Sequence, residues 1–217
     1  MSTQIGITHR EHTALHEIEG GSTTEAVGGA AAIILAILGL IGVLPTLLAS
    51  IAAIAIGVGL VMAGGAIAAR YEKVLSAPES SATRREIAGG MGMEALAGIA
   101  ALVLGILALL GLSTGTMLAI AAIAAGAGLL MASGSMARLE SLVRWETARD
   151  DTPKTHDTVY ASAGSEVLIG TGAIVLGILA LTGMDPLTLV LVALLSIGAA
   201  LLVSGSTVTG RFLTMFR

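Results

Sequence analysis

The chain has 217 residues, of which 55% are apolar, 12% charged and 2% aromatic, with 29 Gly, no Cys and a formal net charge of -4. A soluble domain carries about 25% charged residues; half that density cannot cover a water-facing surface, and the mean hydropathy of +0.93 points to lipid. The missing Cys excludes disulfides, thiolate metal sites and Cys nucleophiles, and no basic stripe with interleaved aromatics supports a nucleic-acid partner.

Residues 1–24 are polar, with no basic segment leading into a short apolar core, so they are not a secretory signal; the first span is expected to act as an uncleaved anchor. Within this tail His9, His12 and His16 are spaced i, i+3, i+7, one face of a helix if the tail is helical. Three readings stay open. His12 and His16, with Glu17 nearby, have the composition of a metal site; three imidazoles titrating near about pH 6.5 would make a switch; a solvated tail needs neither.

Long uncharged runs follow at about 26–44, 46–69, 95–112, 115–137, 167–184 and 187–209. About 20 helical residues cross a hydrocarbon core of about 30 Å, and the runs lack the alternation of barrel strands. They are expected to be six membrane-spanning helices. They divide the chain into a first pair of spans at 25–70, a loop at 71–93, a second pair at 94–138, a loop at 139–165, a third pair at 166–211 and a tail at 212–217.

Charge fixes the expected orientation. Arg10, Arg70, Lys73, Arg84, Arg85, Arg138, Arg144, Arg149, Lys154, Arg211 and Arg217 all fall on one side of a six-span topology, as do Tyr71, Trp145, Tyr160, Phe212 and Phe216. The turns near 44–46, 112–115 and 184–187 contain one charge, Asp185. The positive-inside rule then places both termini and both long loops in the cytoplasm, in a multi-pass protein of the cell inner (plasma) membrane.

The chain repeats three times. EAVGGAAAIILAILGLIG, EALAGIAALVLGILALLG and EVLIGTGAIVLGILALTG each open on a glutamate (Glu25, Glu94, Glu166) and reach a glycine 17 residues on (Gly42, Gly111, Gly183). A short turn follows, then Gly57, Gly126 and Gly198, and the small clusters Gly64-Gly65, Ser133-Gly134 and Ser204-Gly205. Asp185-Pro186 and Ser113-Thr114 read as caps starting the next helix. Connections this short join antiparallel neighbours. The expected fold is therefore an all-α integral membrane protein of six transmembrane helices, built as three parallel-repeat helical hairpins in a quasi-threefold arrangement. Rows such as Gly28, Ala32, Ala36 and Ala97, Ala101, Gly105 suit close helix approach, either within the bundle or as an oligomer interface.

The GIxxLVLGILALLG and VLGILALTGMDPLTL stretches, with the small patches LLMASGSM and LLVSGST, resemble the duplicated repeat of the HdeD family (the DUF308 repeat). The resemblance covers about 26–70, 94–138 and 166–211. It implies a small six-span membrane protein, and the namesake's association with acid resistance in enteric bacteria implies a role in stress. It carries over no catalytic residue.

Two further features carry chemistry. Glu25, Glu94 and Glu166 hold one place in three repeats: around a shared axis they would bind a cation or relay protons, whereas in a first helical turn, at a water-reached cytoplasmic edge, they would cap the dipole. The segment 137–150 prolongs the fourth helix, and Leu139, Leu142, Val143 and Trp145 bias one side of it toward a partner or the membrane surface. Gly57-Val-Gly59 and Gly126-Ala-Gly128 lie mid-helix and make no dinucleotide loop. No span contains His, and no nucleophile–base–acid set exists, so neither an enzyme, a metal nor a cofactor is expected. The expected function is a non-enzymatic HdeD-like membrane protein, in stress or acid tolerance or as a scaffold. The alternatives are an accessory or anchoring subunit and a small transporter or channel. The expected partners are the lipid bilayer and a second copy or another protein at the cytoplasmic loops.

Overall fold

The computed structural model describes residues 23–74, 81–147 and 156–215, with side chains described in 23–64, 92–133 and 164–206. The described residues form helices throughout: α1 Thr23–Leu40, α2 Pro45–Val74, α3 Ser81–Leu109, α4 Thr114–Thr147, α5 His156–Leu181 and α6 Pro186–Met215. All six contain a window of 18–21 residues long and apolar enough to cross a membrane. In hydrocarbon, backbone N–H and C=O groups need internal partners, and a helix supplies them within one segment. Among the described residues the secondary structure is thus helix joined by short turns, with the six candidate spans of a multi-pass membrane protein. α3 begins at Ser81, in the polar stretch before the third apolar run, and α4 continues to Thr147, into the charged stretch after the fourth.

Burial separates the helices into two sets. In the windows of α2, α4 and α6, 44–61% of residues are buried, against 22–28% in α1, α3 and α5. α2, α4 and α6 touch one another, α3 lies against α2 and α4, and α5 against α4 and α6. α1 meets α2 at Gly28 and α6 at Gly29. The large buried side chains sit on the central helices: Ile56 and Leu60, Leu118 and Leu129, Val190, Leu194, Ile197 and Leu201 fill the middle.

The outer helices turn a stripe of small residues inward. On α1 it is Glu25, Gly29, Ala32, Ala36 and Gly39; on α3, Glu94, Gly98, Ala101, Gly105 and Ala108; on α5, Gly170, Ala173, Gly177 and Ala180, all buried, led by a half-buried Glu166. Steps of four and three keep pace with a 3.6-residue turn. Rows spaced strictly by four drift off the face, which is why Gly28 and Ala97 are only half-buried. The small residues bring backbones together. A Cβ built on Gly57 would lie 2.7 Å from the Gly98 carbonyl oxygen, one on Gly126 2.7 Å from that of Gly170, and one on Gly198 3.0 Å from that of Gly29. In lipid, such approach gains dispersion where burial from water gives nothing.

Three turns close one end of the bundle, called here the turn end. In each, a glycine at positive φ (Gly42 91°, Gly111 85°, Gly183 88°) is followed two residues later by a second left-handed residue (Leu44 40°, Ser113 38°, Asp185 39°). Glycine ends the helix cheaply in that region. The bonds Gly42 N–H to Gly39 O (3.0 Å) and Val43 N–H to Leu38 O (3.1 Å) close the paired pattern of a Schellman motif, repeated by Gly111 to Ala108 and Leu112 to Leu107. The carbonyls of Leu44, Ser113 and Asp185 accept the first bonds of α2, α4 and α6. Leu44 has no capping side chain, so a shared backbone shape, not a side-chain cap, is what the three turns have in common.

Candidate functional site

Each of the three glutamates stands on an outer helix and faces the centre. The Cα of Glu25 packs beside Gly59 of α2, and that of Glu94 beside Gly128 of α4. Glycine on the central helix leaves room for the acid-bearing helix to come close. Glu25 is 8% exposed and Glu94 5%, while Glu166 is half-buried. The carboxyls act on one another electrostatically: Glu25 and Glu166 interact, and Glu94 interacts with both. Three acids far apart in sequence therefore share one enclosed region.

Helix rise sets its depth. Gly59 is 14 residues from Pro45 at the turn end and 11 from Arg70, or about 21 Å and about 16 Å along the axis. Gly128 is 10 residues from Arg138, about 15 Å. The cluster thus stands toward the end of the bundle away from the turns, on the turn side of Arg70 and Arg138.

Glu94 comes thirteen residues after α3 begins at Ser81, and Glu166 ten after α5 begins at His156, far from any first turn. The dipole effect fades within one turn, so capping does not account for these two acids. Residues 81–91 and 156–163, within stretches the sequence reads as loop, are helical.

Sequence reasoning missed Ser204. The sequence shows it only as part of the small cluster Ser204-Gly205, in series with Gly64-Gly65 and Ser133-Gly134, and nothing there marks it as a partner of the acids. Its side chain hydrogen-bonds both Glu25 and Glu166. A hydroxyl has one hydrogen. It therefore donates to one carboxylate at a time. Other hydroxyls serve their own helices: Ser50 donates to Thr46 O (2.9 Å), Ser196 to Val192 O (2.9 Å), Thr171 to Val167 O (2.8 Å) and Ser133 to Leu130 O (2.9 Å). Ser204 reaches across helices instead.

Among the described residues, no three His, Asp or Glu side chains are arranged to hold a metal ion, so the trio is not spaced as a metal cage. His9, His12, His16 and Glu17 lie outside the described residues, as do the side chains of Leu139, Leu142, Val143 and Trp145, although α4 is helical through them. No protein-family model, curated protein or solved structure matches the chain.

Proposed function

We propose that this protein is a non-enzymatic, HdeD-like integral membrane protein whose working part is the carboxyl cluster of Glu25, Glu94 and Glu166, and that it serves acid or stress tolerance by taking up and releasing protons there. The carrying observation is that Glu25 and Glu94 are buried, and Glu166 half-buried, on three outer helices of an apolar bundle, within electrostatic reach of one another; the reading places them at membrane depth. Ionisable groups at such depth are costly and ordinarily functional. Interacting carboxyls titrate as a unit, and the Ser204 hydroxyl is a hydrogen-bond partner within reach of two of them.

The architecture that goes with this reading is three parallel hairpins, α1–α2, α3–α4 and α5–α6, about a pseudo-threefold axis lined by α2, α4 and α6. Gly57–Gly98, Gly126–Gly170 and Gly198–Gly29 support it, being one contact made three times, the last of which closes the ring. The one-sided basic residues put the termini in the cytoplasm of the inner membrane, so the cluster faces cytoplasmic water more nearly than the other side. The resemblance of the repeats to the HdeD family agrees with six spans and with acid tolerance.

The test is proton uptake by purified protein in lipid nanodiscs on a step to acid pH, comparing the wild type with E25Q/E94Q/E166Q. Gln keeps shape and hydrogen bonding but cannot ionise. The expected result is loss of an uptake component in a variant that keeps its helicity and melting temperature, with poorer acid survival of cells carrying it. Equal uptake by both proteins, or a variant that no longer folds, would assign the glutamates to packing.

A second reading, an accessory or anchoring subunit, is favoured by the helical continuation of α4 to Thr147. It predicts a copurifying chain that is lost when 139–147 is trimmed. A transporter or channel has less support, because buried Leu, Ile and Ala fill the centre and the Ser50 and Ser196 hydroxyls bond carbonyls of their own helices.

A further inference from the structure

We infer that the turn end of the bundle terminates inside the membrane, with its three turns seated at the boundary between acyl chains and headgroups of the leaflet they reach, so that phospholipid covers this end of the molecule. The first ground is what the turns display. Ile41 is 69% exposed, Leu44 66%, Leu110 69% and Met184 66%, with Val43 and Leu112 near half. Apolar groups this accessible, clustered at one end, call for an apolar occupant. Their surface is continuous with the lipid-facing sides of the outer helices, where Ile37, Ile106 and Ile178 lie exposed one turn further in. The lipid that covers those helices is therefore the occupant that the turns meet next.

The second ground is how little these turns need water. Helix ends ordinarily leave carbonyls without partners. Here Leu38, Gly39, Leu107 and Ala108 accept bonds from the turn backbone, and the Thr114 hydroxyl adds a bond to Ala108 O. In the third turn Thr182 donates to Leu179 O through both its backbone and its hydroxyl. Two left-handed residues per turn make that closure possible. A chain reversal that satisfies its own carbonyls can lie at a depth that an open loop cannot occupy.

Length and charge set the level. From Pro45 to Arg70 is 25 residues, about 37 Å of helix, whereas a bilayer with its headgroups is about 40–45 Å thick. With Arg70 in one headgroup layer, the turn end does not clear the other, and tilt shortens the reach further. Asp185, exposed in the third turn, holds that turn at the polar boundary and not deeper.

The absence of Cys allows a direct test. Val43→Cys, Leu112→Cys and Met184→Cys, each in the full chain, are spin-labelled and reconstituted in phosphatidylcholine–phosphatidylglycerol vesicles. Collision rates with oxygen, which partitions into lipid, and with a water-soluble nickel chelate are then compared with those of Ile37→Cys in the belt and of free label in water. The expected ratio of oxygen to nickel collisions is several-fold above the aqueous value at all three turns and below that at Ile37→Cys. A ratio at the aqueous value in any of the turns would overturn the inference. The substituted positions are exposed, and a size-exclusion profile matching the wild type confirms that each variant is folded.

Discussion

Gly57 and Gly172 show how differently the same residue type is used along this chain. A Cβ on Gly57 would meet backbone atoms of α3 at 2.6–2.7 Å, whereas one on Gly172 would meet nothing within 4 Å. Alanine gains about 1 kcal/mol of helix propensity over glycine, but overpacking costs about 1–3 kcal/mol, and backbone cannot move aside as a side-chain tip can. Gly57→Ala and Gly126→Ala are therefore expected to lower the melting temperature in detergent, while Gly172→Ala leaves it unchanged or raises it. A thermal-shift series on the three variants checks this. The glycines were legible in the sequence as a class, but which of them touch was not. Rows counted by fours select Gly28, and the buried position is Gly29, because only the packed neighbour decides which edge of a small-residue stripe faces inward. Ser204 was visible only as a member of a small-residue cluster, and the sequence does not show which hydroxyl of such a cluster reaches an acid on another helix.

Hydropathy marked the six helices well and their ends poorly. An apolar run records where lipid begins, and a helix need not stop there. Polar residues 81–91 are helical because water tolerates a helix as well as lipid demands one. That mistaken end is what made Glu94 look like a cap, when thirteen helical residues precede it. At the other end, the sequence supplied side-chain caps for two turns, while the structure uses backbone shape in all three. The positive φ of Gly111 makes it the sensitive position. Gly111→Ala places a Cβ in a conformation that costs an L-residue about 1–2 kcal/mol, and nothing nearby crowds it. Loss of that amount in a reversible detergent unfolding series is expected, with helix content unchanged. A neutral result would show that the turn relaxes freely.

On the scale of the whole molecule, the repeated sequence and the packing agree at specific atoms. The close approach of Gly57 to Gly98 has counterparts in Gly126 with Gly170 and Gly198 with Gly29, so α6 meets α1 as α2 meets α3 and α4 meets α5. Repetition of Glu25, Glu94 and Glu166 was visible beforehand; their burial was not, since it depends on the depth at which outer helices dock on the glycines of inner ones. The central claim is that these three carboxyls form one interacting cluster within the bilayer. Infrared difference spectroscopy of the protein in nanodiscs, titrated across acid pH, measures it most directly through the carboxyl C=O bands of the wild type and of Glu25→Gln, Glu94→Gln and Glu166→Gln. The account predicts that each substitution removes one carboxyl contribution and also moves the titration midpoints and band positions of the two that remain. Three contributions that vanish one at a time and leave the others unmoved would contradict it.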